Sequence, residues 1–259
     1  MKCTRCGGEA VAIGGGQFRC KYCRNIQSGV EAPPVYQSEP SRAAAAPSTG
    51  ALSVSHKDEG ADLYEKIIDG VLEIRCKFPK CISSGSGLLI DSERGYALTN
   101  THVVTNECKR PNEISVSIAG EAVSAEIVLL GDDRGGEGDG IDLALIKLSR
   151  VPARATAIKF GDYSGVRIGE RVYVVGNSLG YGTCITSGIV SDKNRLVDGK
   201  RHIMTDCAVN SGNSGGPLFN ADAEAIGVIV SSILSAEGMN FAIPADMAIQ
   251  FVRRVISRF

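Results

Sequence analysis

From residue 71 onward the chain is a succession of short apolar runs separated by glycine and asparagine turns. They cover residues 71–75, 87–91, 114–118, 122–130, 143–148, 171–175, 185–190, 202–205, 225–230 and 240–243. No helical periodicity intervenes between them. Many short strands can bury an apolar face only by closing on themselves or by stacking as sheets, which argues for an all-β barrel or sandwich. Residues 61–68 suit a short amphipathic helix ahead of the first strand. Past residue 244 the pattern changes: Met247, Phe251, Val252, Val255, Ile256 and Phe259 recur at helical spacing, with Asp246 near the start and Arg253, Arg254 and Arg258 near the end. That charge order suits the helix dipole and predicts a C-terminal helix over residues 244–259 docked on a barrel.

The remainder of the 259 residues divides by composition. Residues 1–28 carry Cys3-x-x-Cys6 and Cys20-x-x-Cys23, with Gly14-Gly15-Gly16 between the pairs. Two such knuckles place four thiolates on a tetrahedron, the donor set of a closed structural zinc site. Residues 11–13 and 17–19 read as a hairpin, so the segment reads as a zinc ribbon in which Zn²⁺ supplies most of the folding free energy. Iron and redox-active dithiols are the alternatives. Lys2, Arg5, Arg19, Lys21 and Arg24 outnumber Glu9; they offset the charge of a tetrathiolate centre or, alternatively, meet nucleic acid. A protein partner recruited through the ribbon is an equal reading. Residues 29–60 shift to Pro, Ala and Ser with few large apolar side chains, which predicts a flexible linker, His56 included. Residues 61–259 then form the main domain.

The formal net charge of -1 leaves no global field to drive the chain onto nucleic acid or an anionic membrane. The longest apolar run, residues 225–234, is half the length of a membrane span. No apolar stretch follows Met1-Lys2, so a cytoplasmic location is expected, with Cys76, Cys81, Cys108, Cys184 and Cys207 kept as thiols. Pairing of Cys76 with Cys81 is the alternative in an oxidising compartment.

Chemistry concentrates at Gly212-Asn213-Ser214-Gly215-Gly216-Pro217. A serine hydroxyl needs a base within hydrogen-bond reach and donors for the oxyanion it creates. Flanking glycines permit backbone angles that would aim the amides of Gly212 and Ser214, with Asn213 as a third candidate, into one pocket. Read alone, the stretch is equally a surface turn, and partners elsewhere decide. Thr99-Asn100-Thr101-His102 supplies a histidine just after a strand-like run. Asp142 lies between Ile141 and Leu143, where an ionised carboxylate is costly without a partner such as His102. The order His102, Asp142, Ser214 is that of the chymotrypsin-type triad. His202, in Lys200-Arg201-His202, is expected to be exposed, and the acidic loop bearing Asp132, Asp133, Glu137 and Asp139 solvated.

Several blocks in one order resemble the signature of HtrA/Deg-type serine proteases across residues 61–259. They are Ser84-Gly85-Ser86-Gly87-Leu88-Leu89-Ile90, residues 99–104, residues 142–148, Gly176-Asn177-Ser178-Leu179-Gly180, Thr205-Asp206, residues 212–217 and Phe241-Ala242-Ile243-Pro244. The resemblance implies a chymotrypsin-like fold of two six-stranded β-barrels. It implies a serine endopeptidase acting on protein or peptide substrates through an acyl-enzyme, with His102, Asp142 and Ser214 catalytic and no cofactor for catalysis. It places Ala208 at the floor of the substrate pocket, with Val209 narrowing it and Val230 and Ser231 alongside, which suggests a small or medium aliphatic residue before the cut. Residues 177–182 and 231–239 resemble loops that order the site, and Asn213, unlike the aspartate of digestive proteases, cannot pair with a freed N-terminus. Thr101 departs from the alanine usual before the histidine. The chain stops where most members continue into a PDZ domain, and an oligomer stays open. The competing readings are a latent or inactive protease-fold scaffold that binds peptides, and a nucleic-acid-directed protein led by the ribbon.

Overall fold

The computed structural model describes residues 10–14, 17–20, 26–28, 59–105, 110–131, 140–180, 182–230, 238–257 and 259. The chain divides into two compact units, Met1–Val54 and Ser55–Phe259. In the first, β1 (Ala10–Gly14), β2 (Gln17–Cys20) and β3 (Ile26–Ser28) form an antiparallel sheet in that order. The first two strands fall on the expected hairpin, and the third was not foreseen. Cys3, Cys6 and Cys23 lie outside the described residues, and Cys20 is described only in its backbone. The expected linker lies outside them almost entirely.

The second unit opens with α1 (Glu59–Ile67), whose Leu63 and Ile67 face the core. The first barrel follows: β4 (Val71–Lys77), β5 (Ile82–Asp91), β6 (Tyr96–Thr99), β7 (Glu113–Ile118), β8 (Glu121–Leu130) and β9 (Ala144–Leu148), closed in the order β4-β5-β6-β9-β8-β7. A short helix, α2 (Thr101–Val104), leaves β6. The second barrel comprises β10 (Arg171–Asn177), β11 (Thr183–Val197), β12 (Lys200–Thr205), β13 (Pro217–Phe219), β14 (Ala225–Val230) and β15 (Asn240–Pro244), closed as β10-β11-β12-β15-β14-β13. The all-β double barrel with a C-terminal helix is therefore the fold, with a short strand at Pro217–Phe219 added to those read from the sequence.

Alternation on β4 sends Leu72, Ile74 and Cys76 into the first barrel, where they meet Leu89, Val116 and Ile146. Val172, Val174, Ile203 and Ile229 fill the second. A further cluster spans the seam between them, with Leu88, Leu98, Leu143 and Leu145 from one barrel and Val175, Phe219, Val228 and Ile243 from the other. Strands at the seam are therefore buried on both faces, which accounts for the doubly apolar runs at residues 143–146 and 225–230. Each fully buried Leu or Ile contributes about 1.5–3 kcal/mol against leaving it in water.

The C-terminal helix is shorter than its periodicity suggests. α3 (Ala245–Val252) ends eight residues in, and tighter turns follow, with Arg254 N–H donating to Phe251 O and Val255 N–H to Val252 O. These turns bring Ile256 back into the seam cluster. Among the described residues no helix is long and apolar enough to cross a membrane.

Candidate active site

His102 and Asp142 arrive on neighbouring elements of the first barrel. β6 pairs with β9 (Thr99↔Ala144), so the residues just beyond Thr99 lie beside those just before Ala144. Asn100 Nδ2 donates to Asp142 O (2.7 Å), and Thr101 Oγ1 lies 2.7 Å from Leu143 O. The position where the resemblance has alanine is thus a buried tie between α2 and the segment bearing Asp142. One carboxylate oxygen of Asp142 accepts from the His102 main-chain N–H (3.1 Å), and the other meets His102 Nδ1 at 2.6 Å. An ionised carboxylate only accepts, so Nδ1 carries the proton and the neutral ring has its lone pair on Nε2. The His102 side chain is 38% exposed and that of Asp142 17%, an imidazole open to the surface on a largely covered carboxylate.

Ser214 comes from the second barrel, on the turn entering β13, and is 4% exposed. Its carbonyl accepts from Ser86 N–H (2.8 Å) on β5, a bond across the seam. Gly215 has φ +83°, and a Cβ there would fall 2.3 Å from Thr99 Oγ1 and 2.4 Å from Ser86 O. Only glycine lets this turn lie flat against the segment leading to His102. Gly85 does the same from below: a Cβ would sit 2.6 Å from Val103 and 3.1 Å from Ser214 O.

Asn213 N–H donates to Asn210 O (3.0 Å), closing a four-residue turn with Gly212 third at φ +104°. That positive φ is the mark of a type II turn. Of the three amides expected to meet an oxyanion, that of Asn213 is therefore withdrawn, because it closes the turn. Its side-chain Oδ1 is buried without a partner among the described residues.

A cavity of about 240 Å³ opens beside the pair, lined by His102, Asp142, Lys200, His202, Val230 and Met247 among others. Of the four residues expected in a substrate pocket, Val230 lines it. Ala208 is exposed, with its carbonyl accepting from Thr186 Oγ1 (2.9 Å), and Val209 packs partly against the second barrel's core. Neither lines the cavity, and Ser231 lies outside the described residues. The expectation for His202 is corrected: it is 7% exposed, its ring edge-on to Phe241, because β12 turns it inward while Arg201 faces Asp246. Burial pushes its pKa below the ordinary imidazole value. Lys200, His202 and Met247 carry no sequence signal for a place here; hairpin β11–β12 and α3 bring them in.

Among the described residues Cys76, Cys81, Cys184 and Cys207 are thiols, and no group of three or more His, Cys, Asp or Glu could hold a metal. Burial pushes the Cys76 thiol up to about 12, Cys81 is exposed, and the two are not joined.

The model of the trypsin-like peptidase domain matches residues 85–228, more than half of the chain. The chain belongs to the trypsin-like peptidase family. Within that family it resembles HtrA-type proteases. It is 36% identical over 181 residues to a probable periplasmic serine protease do/HhoA-like of Haemophilus influenzae, covering 66% of this chain and 36% of that protein. It is 38% identical over 177 residues to the periplasmic serine endoprotease DegP of Escherichia coli K12, covering 65% and 35%. Among solved structures, an HtrA-type protease AlgW with tripeptide superposes with a TM-score of 0.66 at 28% identity, covering 76% of this chain and 63% of that one. A serine endoprotease from Yersinia pestis gives 0.65 at 27%, covering 76% and 66%. The chain spans about a third of the length of the curated relatives it matches. The expectation of a cytoplasmic location is overturned here: these relatives are named periplasmic serine proteases. That expectation rested on the residues that follow Met1 and on the shortness of the longest apolar run.

Proposed function

We propose that this trypsin-like peptidase is a serine endopeptidase in which Ser214 is the nucleophile, His102 the general base and then acid, and Asp142 the orienting carboxylate. Ser214 Oγ attacks the scissile carbonyl and passes its proton to His102 Nε2. The imidazolium so formed is stabilised by Asp142, and the proton then goes to the leaving amine. The oxyanion is met by the amides of Gly212 and Ser214, each such donor being worth roughly a hundredfold to a thousandfold in rate. The observation that carries the proposal is the meeting across the seam: a 2.6 Å His102–Asp142 contact on one barrel and, on the other, a serine turn seated against Thr99 by a bare glycine.

Its substrates are proteins or peptides. The cavity beside His102, with Val230, Ile243 and Met247 against Lys200, offers an apolar wall with one cationic group to residues near the cut. Residues 1–28 form a zinc ribbon with Cys3, Cys6, Cys20 and Cys23 as ligands, recruiting protein partners and raising their effective concentration at the peptidase. What supports this is the pair of Cys-x-x-Cys knuckles and the antiparallel sheet of β1, β2 and β3 between and beside them.

The test is intact mass after treatment with a fluorophosphonate. One adduct on the wild type and none on Ser214→Ala is the expected result, and an unreacted wild type rules the proposal out. One equivalent of zinc, lost when Cys20 and Cys23 become serine, checks the ribbon.

A further inference from the structure

A chain of hydrogen bonds leads from the first barrel into the turn that carries the oxyanion donors. Glu73 on β4 and Ser86 on β5 are cross-strand partners, directly opposite in register. The two carboxylate oxygens of Glu73 accept from Asn177 Nδ2 (3.1 Å) and Thr183 Oγ1 (2.7 Å), and Asn177 Oδ1 accepts from Gly182 N–H (3.0 Å). Both ends of the loop joining β10 to β11 are thereby fastened to one side chain of the other barrel. Asn177 N–H donates to Ser86 Oγ (2.8 Å), and Ser86 Oγ donates to Gly212 O (2.7 Å).

Ser86 is fully buried, and its hydroxyl accepts one bond and donates the other, so its single proton is committed to Gly212. The space is closed as well: a Cβ on Gly176 would fall 2.6 Å from Ser86 Oγ. The peptide unit between Gly212 and Asn213 is gripped at both ends, its carbonyl by Ser86 and its N–H by Asn210 O. Fixing that plane sets the planes on either side of it, and those bear the N–H groups of Gly212 and Ser214.

We infer that Ser86, held by Asn177 and Glu73, is a positioning residue for the oxyanion donors. The inference rests on the peptidase reading above. None of the three lines the cavity beside His102. They act on the transition state through the tilt of one peptide plane, so their loss lowers the rate of attack and leaves ground-state binding alone.

The experiment measures the second-order rate of Ser214 modification by a fluorophosphonate, and kcat and KM on a fluorogenic peptide pool. It compares wild type, Ser86→Ala, Glu73→Gln and Ser214→Ala, with thermal melts and the His102 Nδ1–H proton resonance as controls. Ser86→Ala is expected to react and turn over about tenfold to a hundredfold more slowly at unchanged KM, part of what losing one donor costs. Its His102 resonance stays in place. Glu73→Gln keeps one accepting oxygen and falls about threefold or more. A reactive wild type with Ser86→Ala and Glu73→Gln both within twofold of it overturns the inference and leaves the peptidase reading standing. A wild type as inert as Ser214→Ala removes the peptidase reading itself. Should Ser86→Ala lose its cooperative melt, Glu73→Gln decides by its own threshold.

Discussion

Asp142 holds His102 at two points, its side-chain Nδ1 at 2.6 Å and its main-chain N–H at 3.1 Å, one carboxylate oxygen to each. The ring cannot turn without breaking the first bond, and α2 cannot slide without breaking the second. Asp142→Asn keeps the shape and removes the anion, so the ring loses both its fixed tautomer and its counter-charge. A fall of about ten-thousandfold in kcat at neutral pH is expected, with the melting temperature little changed.

Gly215→Ala tests the seam. The new methyl carbon would enter a space already held by Thr99 Oγ1 and Ser86 O, at a positive φ that L-residues avoid. Urea unfolding should show a loss of about 1–3 kcal/mol, and acylation of Ser214 should fall with it, since the turn has to lift away from β6.

His202 gives the stability a pH dependence of known sign. Burial disfavours its charged form and outweighs the opposing pull of Asp142 and Asp198, so its folded pKa lies below its unfolded one. The unfolded chain then binds more protons as pH falls below about 6.5, and the folded state loses ground. Denaturant midpoints should drop between pH 7 and pH 5 for the wild type and drop less for His202→Gln.

Thr101→Val removes a buried hydroxyl that ties α2 to Leu143 O. A cost of about 1 kcal/mol in stability is expected. Thr101→Ser keeps the hydroxyl and should retain more of the wild-type rate than the valine variant does.

The double barrel was legible because strand runs and glycine turns are local, and the order of His102, Asp142 and Ser214 because motif blocks are contiguous. Other features depend on long-range closure. The inward turn of His202 follows from which face of β12 meets β15, and charged neighbours in the sequence pointed the wrong way. The withdrawal of the Asn213 amide depends on Asn210, three residues earlier, an ordinary polar residue with no motif of its own. The end of α3 at Val252, with Ile256 still in the seam cluster, is not registered by helical spacing, which runs on through Val255 and Ile256.

Ser214 and His102 share neither a strand nor a barrel. Their two segments are joined by a face of Gly215 that carries only hydrogen, laid on Thr99, and by the backbone bond from Ser86 to Ser214, beside the apolar cluster that spans the seam. Heating is expected to disturb the registration of the two barrels first. Acylation should fade before ellipticity does, and the enzyme's own turnover becomes a gauge of how firmly its halves are docked.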